Sequence, residues 1–253
     1  MHQINISAVV ITYNEERNIR QCLASVQDIV EEIVVVDSYS TDQTEAICRE
    51  MGALFLQHPF EGHIEQKNYA LAKAKHELIL SLDADEALSE DLRESIREVK
   101  NHWNSDAYAF NRLTRFCGKW IRHCGWYPDV KIRLWNRKKG AWGGTNPHDK
   151  VVMEAGSTVT HLNGDLLHYS YYSIRQQVDQ INSFSDLAAR AAFEKGKKSF
   201  FAKDILLNPF FTFLKMYVLQ RGFLDGYYGF VISINSGFSK FLKYIKLREL
   251  YKQ

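Results

Sequence analysis

Leu78-Ile79-Leu80-Ser81-Leu82-Asp83-Ala84-Asp85-Glu86 is the stretch on which the reading of this chain turns. An apolar run that stops at Asp83 predicts a buried parallel strand leaving the sheet at its carboxyl end, where open α/β sheets hold their ligands. Side chains two apart in extended backbone share a face. Asp83 and Asp85 would therefore converge on one hard cation, which in turn would hold a diphosphate. The competing reading is a solvated turn followed by the acidic start of a helix, with Glu86 favoured there by the helix dipole.

The chain upstream repeats one pattern three times. Ile4 to Thr12 is apolar and β-branched, and Tyr13-Asn14-Glu15-Glu16 follows, with Asn14 placed to cap a helix whose apolar face carries Ile19, Leu23 and Val26. Ile33 to Val36 predicts a second strand ending at Asp37. Ser38-Tyr39-Ser40-Thr41-Asp42 then leads into a helix closed by Gly52, and Ala53 to Leu56 reads as a third strand. Gly62 to Lys75 is helical and carries Gln66-Lys67-Asn68; after the acidic stretch, Ser89 caps a helix over Glu90 to Asn101. Strands alternating with helices predict an α/β fold, a Rossmann-like, mostly parallel sheet with helices on both faces. No Gly-x-Gly-x-x-Gly follows the first strand, which counts against a dinucleotide fingerprint, and there is no Walker Gly-Lys-Ser/Thr, so a metal on Asp83 and Asp85 is the available means of holding phosphates.

At 253 residues, 45% hydrophobic and 25% charged, the chain has an ordinary globular composition. Its net charge of +2 hides a split: from Lys195 onward eleven Lys/Arg face three Asp/Glu, leaving the first 194 residues at −6. A basic tail implies an anionic partner, with membrane phospholipid and nucleic acid the usual candidates. Cys22, Cys48, Cys117 and Cys124 have no disulfide-framework spacing, nothing at the start reads as a signal peptide, and no run reaches the ~18 apolar residues of a membrane span. These features place the chain in a reducing cytoplasm.

Beyond Asp106 the pattern becomes β-rich. Tyr108 to Leu113 and Val130 to Trp135 alternate, the loops between them carry Trp120, Trp126 and Tyr127, and Gly143 to Val151 returns through Pro147-His148-Asp149 to a strand. Aromatic faces beside Arg and Asp suit sugar binding, although aromatics also simply fill cores. Tyr172 to Lys195 predicts an amphipathic helix with Ile174, Val178, Ile181 and Leu187 on its face. Phe200 to Leu219 then concentrates apolar residues flanked by Lys and Arg, and Phe238 to Lys252 repeats the theme. This composition suits helices lying in a membrane interface with cations reaching anionic head groups, or packing on a partner.

The ordered motifs Thr12-Tyr13-Asn14-Glu15-Glu16, Val36-Asp37-Ser38-Tyr39-Ser40-Thr41-Asp42, Gln66-Lys67-Asn68 and Leu82-Asp83-Ala84-Asp85-Glu86 resemble those of the family 2 glycosyltransferases with the GT-A fold. The chain is also similar to the lipopolysaccharide core glycosyltransferases of the WaaE/KdtX type, described as β-1,4-glucosyltransferases. The likeness is specific over the first hundred residues and looser through Arg133-Leu134, Pro147-His148-Asp149 and Arg221 to Gly226. It implies a nucleotide-sugar half over residues 1–105, an acceptor and catalytic half over 106–170, and a helical C-terminal region over 171–253.

Carried onto matching positions, the resemblance implies that Thr12, Tyr13, Asn14 and Glu15 contact the nucleoside of a UDP-sugar type of donor. Asp37 would bind base or ribose and Lys67 the nucleotide, while Asp83, Ala84 and Asp85 would form the Asp-x-Asp motif that holds Mg²⁺ or Mn²⁺. Asp149 would be the general base, one methylene shorter than the Glu of WaaE-like His-Glu pairs. Arg133, His148 and Trp126 would face the acceptor. Tyr39 departs from the family's usual Gly, and Tyr lacks the freedom of Gly at positive φ. The implied activity is inverting transfer of a hexose, glucose in the WaaE type, to a lipopolysaccharide core or other lipid-linked glycan on the inner face of the cytoplasmic membrane.

Two other readings are weaker. A receiver-like Mg²⁺-binding signalling domain needs about half this length and gives the basic aromatic tail no role, and a nucleotide-sugar-binding protein that has lost catalysis would show neither donor hydrolysis nor transfer with metal. A nucleic-acid partner leaves Asp83, Asp85 and Asp149 idle.

Overall fold

The computed structural model describes residues 4–146 and 148–252, and the chain forms two compact units, 4–112 with 129–169, and 113–128 with 170–252. In chain order the first elements are β1 (Ile6–Thr12), α1 (Ile19–Ala24), β2 (Glu32–Asp37), α2 (Thr44–Glu50), β3 (Leu54–Gln57), α3 (His63–Lys73), β4 (Leu78–Asp83), β5 (Glu86–Leu88) and α4 (Glu90–Asn101). There follow β6 (Ala107–Phe116), β7 (Lys119–Trp120), β8 (Asp129–Asn136), β9 (Gly140–Thr145), β10 (His148–Met153) and β11 (Val159–Tyr171). The strand order is β3-β2-β1-β4-β8-β6-β11-β5, with β7 on β6 and with β9 and β10 forming a separate hairpin.

The sheet is parallel from β3 to β4 and antiparallel beyond, since β8 runs against β4, β6 against β8 and β5 against β11. The continuous apolar runs of β1, β2 and β4 follow from burial on both faces. Ala8, Val10, Val35, Leu80 and Leu82 point into one core with α1 and α4, while Val9, Val34, Val36 and Ile79 point into another with Ala70 and Leu71 of α3. Ser89 accepts from the Leu92 N–H and caps α4 as expected. Gly164 has a positive φ, and a Cβ there would meet the Leu92 backbone at 2.3 Å, so only glycine lets β11 pass the start of α4.

Two local expectations change, and one, at Tyr39, is met. Asn14 does not cap a helix: it sits at φ 52 and α1 begins after Asn18. Glu86 does not begin a helix either. It opens β5 fully buried, because Ala84 and Asp85 form a turn that sends the chain back into the sheet. Tyr39 adopts φ 63, the left-handed conformation that its family position reserves for Gly.

The second unit is helical. It contains α5 (Ile174–Glu194), a continuous helix over 201–219 whose middle is α6 (Asn208–Leu214) between two π-helical turns, a 3-10 turn at Gly222–Asp225, and α7 (Gly226–Leu250). Ser173 and Gln176 close a capping box on α5. The packed face of α5 differs from the apolar one expected: Ile174 and Leu187 are exposed, whereas Gln177, Ser185, Ala189 and Ala192 are buried. Small side chains let helices approach closely, and polar links complete the contact, Asn235 donating to Gln177 and Lys246 to Ser185. The four cysteines are free.

Leu80 is fully buried in β4, so Leu80→Ala should lower unfolding free energy by about 2–5 kcal/mol. Leu54→Ala at the exposed start of β3 should change it by less than about 0.5 kcal/mol. Urea denaturation of both variants checks this, and equal losses would remove β4 from the core.

Candidate active site

The carboxyl ends of β1 and β2 are stitched together before any ligand arrives. Asp37, fully buried, accepts from the Ser40 backbone N–H at 2.8 Å and from the Ser40 hydroxyl. That hydroxyl also accepts from the Asn14 N–H at 2.7 Å, and the Asn14 side chain accepts from the Thr41 N–H at 2.8 Å. The left-handed conformation of Asn14 and Tyr39 turns both loops toward each other, leaving the Tyr13 and Tyr39 rings exposed at their tips. The Thr12 hydroxyl is buried beside them without a hydrogen-bond partner among the described residues.

Lys67 occupies the middle of the first unit. Its side chain is 4% exposed, and its ammonium lies 2.9 Å from Asp83 Oδ1 and 2.7 Å from Asp149 Oδ2. The ring of Trp142 sits 4.2 Å beneath the same charge. Behind Asp83, Arg133 Nη2 donates to Asp83 Oδ2 at 3.0 Å and to Glu86 Oε1 at 2.8 Å, and the Asp83 N–H donates to Glu86 Oε2. Arg112 reaches Glu86 and Asp129, and Lys131 reaches Asp129. Burial pushes the Asp83 carboxyl up, but the Lys67 and Arg133 cations outweigh it and hold Asp83 well below the usual carboxylate range.

Asp85 sits in the turn after β4 and not in the extended backbone that the two-residue spacing assumed; it pairs with His168 on β11, with Nε2 at 3.1 Å, and its carbonyl accepts from the Tyr169 N–H. Glu15 is half-buried near this pair. Burial raises its pKa to about 6, against the lowering effect of the Asn18 side chain and with help from the Asp85 and Asp42 charges. No group of three or more His, Cys, Asp or Glu is gathered closely enough to hold a metal ion among the described residues. The donor chemistry still fits a hard divalent cation. Two carboxylates with an imidazole beside one of them suit Mg²⁺ or Mn²⁺, and Asp83 Oδ1 is buried beside the Lys67 ammonium without an aligned hydrogen bond.

A cavity of about 580 Å³ lies over this cluster, within the range of small-molecule sites. Lys67, Asp83, Arg133 and Asp149 line it together, so four positions distant in sequence meet in one space. Arg112, Lys131 and Lys150 add positive charge to its wall. Trp142 completes it, held to α3 by two hydrogen bonds between its backbone and the Asn68 side chain. Trp126 belongs to the second unit and packs edge-on against Phe116, with Tyr171 beside it. Pro147 and the His148 side chain lie outside the described residues.

Sequence reasoning missed Glu86, Arg112, Trp142 and His168. Only Glu86 carried a local signal, its place directly after Asp-x-Asp; the others reach the site through strand pairings far apart in the chain.

The family model described as Glycosyl transferase family 2 matches residues 7–156. An uncharacterized glycosyltransferase of Rickettsia typhi is 34% identical over 97% of this chain and 87% of its own. The lipopolysaccharide core biosynthesis glycosyltransferase LpsC of Rhizobium meliloti is 28% identical over 97% of this chain and 92% of its own. Among solved structures, a mannosyltransferase of Pyrobaculum calidifontis in complex with GDP-Man and Mn²⁺ superposes with a TM-score of 0.55. That match covers 96% of this chain and 88% of the other at 15% identity, a likeness of fold.

Two substitutions probe the cluster. Glu86→Ala leaves Arg112 and the buried Arg133 short of a counter-charge and should lower unfolding free energy by about 3–5 kcal/mol in urea titrations; wild-type stability would deny Glu86 its anchoring role. Glu15 has a folded pKa of about 6 against the ordinary value of 4.5, so the folded state holds its proton more tightly and Glu15 costs stability as pH rises through that window. Glu15→Gln should therefore gain melting temperature relative to wild type between pH 4.5 and 6 and keep the gain above it.

Proposed function

The chain belongs to glycosyl transferase family 2 and is a transferase, and from that premise we propose that it moves a hexose, glucose from UDP-glucose, to a lipopolysaccharide core or other lipid-linked glycan with inversion of configuration. The observation that carries the reading is the single Lys67 ammonium joining Asp83 at a strand end to Asp149 across one cavity. Besides the motifs, the lipopolysaccharide assignment draws on the likeness to LpsC, and the metal-dependent donor on the GDP-Man and Mn²⁺ held by the mannosyltransferase.

The nucleoside lies across the ends of β1 and β2. Tyr13 offers an exposed ring to the base and the unpartnered Thr12 hydroxyl gains a hydrogen bond, while Asp37, fully buried, acts through the Ser40 loop it holds. Asn14 and Glu15 fix the loop that carries these groups, Asn14 through Thr41 and Glu15 through Thr44. The sugar projects over Ala84 into the cavity. Asp149 takes the proton of the acceptor hydroxyl as that oxygen attacks the anomeric carbon from the face opposite the leaving diphosphate, and one displacement inverts the centre. Lys67 holds the Asp149 carboxylate in place at 2.7 Å before the acceptor arrives, and with Arg133 it supplies positive charge beside the bond that breaks. Asp83 and Asp85 would hold Mg²⁺ or Mn²⁺, which supplies Lewis-acid stabilisation to a departing diphosphate when bound. Arg133 faces the acceptor from the wall of this cavity. The acceptor is lipid-linked and its enzyme works as a peripheral protein on the inner face of the cytoplasmic membrane, which the basic, aromatic C-terminal region contacts.

Nucleotide sugars screened with and without Mn²⁺ should raise the melting temperature, UDP-glucose most and only with metal. Asp149→Asn should keep that protection and lose about 10²–10⁴-fold in turnover, read as UDP release with acceptor. Full turnover in Asp149→Asn would remove the base. Protection without turnover in the wild type, across core-glycan acceptors, would mark a donor-binding protein instead.

A further inference from the structure

The helix over 201–219 in the second unit is amphipathic the wrong way round for a surface helix. Exposure recurs in pairs every four residues, at 202–203, 206–207, 210–211, 214–215 and 218–219. Those pairs include Leu206, Leu207, Phe210, Phe211, Leu214 and Leu219, the last 76% exposed, and no residue of α6 is buried. The opposite face meets α7 so closely that a Cβ on Gly237 would lie 2.8 Å from the Pro209 carbonyl oxygen. The helix is thus packed by its other side, and its apolar side is free of partners among the described residues of its unit.

Charge decides what covers that side. Lys203 and Lys215 are the two cations within the exposed stripe, twelve residues apart, or about 18 Å along an α-helix. From Gly196 to Arg248 there are nine Lys/Arg and two acids, and both acids are turned inward. Asp204 accepts from the Phe200 N–H and the Asn208 side chain, and Asp225 accepts from the His123 N–H and ring. A second copy apposed on this face would bring lysine against lysine with no carboxylate between them. An anionic bilayer supplies apolar depth for the leucines and phenylalanines and phosphates for the cations. No described helix is long and apolar enough to cross a membrane, so a bilayer would meet this one along its side.

We propose that the 201–219 helix is an in-plane anchor that inserts Leu206, Phe210, Phe211 and Leu214 among acyl chains and sets Lys203 and Lys215 on lipid phosphates of an anionic membrane. The inference rests on the membrane-facing part of the proposed function and not on the identity of donor or acceptor.

Flotation of the full chain with phosphatidylcholine vesicles, with and without phosphatidylglycerol, tests it in the absence of any nucleotide sugar. The wild type should bind vesicles containing phosphatidylglycerol and lose binding as salt rises. Phe210→Glu with Phe211→Glu should abolish binding while donor protection against melting is kept, which separates anchor from active site. Lys203→Gln and Lys215→Gln should each weaken binding to the anionic vesicles about fivefold, and Lys75→Gln in the first unit should not. Wild-type protein that binds neither vesicle, or that instead forms a dimer broken by Phe210→Glu, overturns the anchor and the membrane contact together. Vesicle binding that ignores both lysines overturns the assignment of the cations and leaves membrane contact standing.

Discussion

One buried ammonium holds the first unit's chemistry in place. Lys67 comes from α3, Asp83 from the end of β4 and Asp149 from the β9–β10 hairpin, which is outside the main sheet. A buried cation costs free energy unless it is paired, and here two carboxylates and an indole face surround it. The pairing is weak evidence for stability, because an apolar cluster of the same volume would stabilise the fold as well. Its consequence is positional. Removing Lys67 leaves two buried carboxylates short of a counter-charge, and the hairpin cannot drift from α3 without breaking the Lys67–Asp149 ion pair and the Asn68–Trp142 hydrogen bonds together.

The same logic extends outward from the lysine. Lys67, Arg112, Lys131 and Arg133 face Asp83, Glu86, Asp129 and Asp149 in one alternating array, four charges of each sign. Neutrality explains how so many ionised groups share a partly buried space. It also explains why Asp83 stays ionised under desolvation that would otherwise protonate it. A site that must meet charge developing on a phosphate gains from dipoles and charges fixed beforehand, since no reorganisation is then needed during the reaction. Arg133 is fixed through Nη2, which donates to Asp83 and Glu86, and by the Trp142 ring 5.1 Å from its guanidinium, while Nε and Nη1 are buried without a hydrogen bond among the described residues.

The parallel half of the fold was legible because burial on both faces writes a continuous apolar run, and such a run can end at only one edge. Asp37 and Asp83 were therefore placeable at strand ends from residue order alone. Glu86 was not, because its inward turn depends on β5 pairing with β11 some eighty residues later, at His168 and Leu166. Asn14 was misplaced for a similar reason: a side chain that would cap a helix locally finds better use bonding a loop twenty-seven residues away. The packed side of α5 was misjudged because periodicity records where apolar residues lie, and close helix contact here selects Ser185, Ala189 and Ala192 for their size.

Both units treat their acids alike, and this connects the local chemistry of each to its surface. In the first unit Asp83 and Glu86 turn inward and fix cations that line a cavity. In the second, Asp204 and Asp225 turn inward and satisfy backbone N–H groups at loop and helix starts, a role a serine or asparagine would also fill. Filling it with aspartate has a different effect on the exterior. The acids needed for folding are withdrawn from the surface, and the sign of the exposed charge from Gly196 to Arg248 is left to the lysines and arginines alone. A face built so has no use for a cationic or self-complementary partner. Its apolar stripe, with Lys203 and Lys215 beside it, is what the proposed contact with an anionic, laterally extended surface rests on.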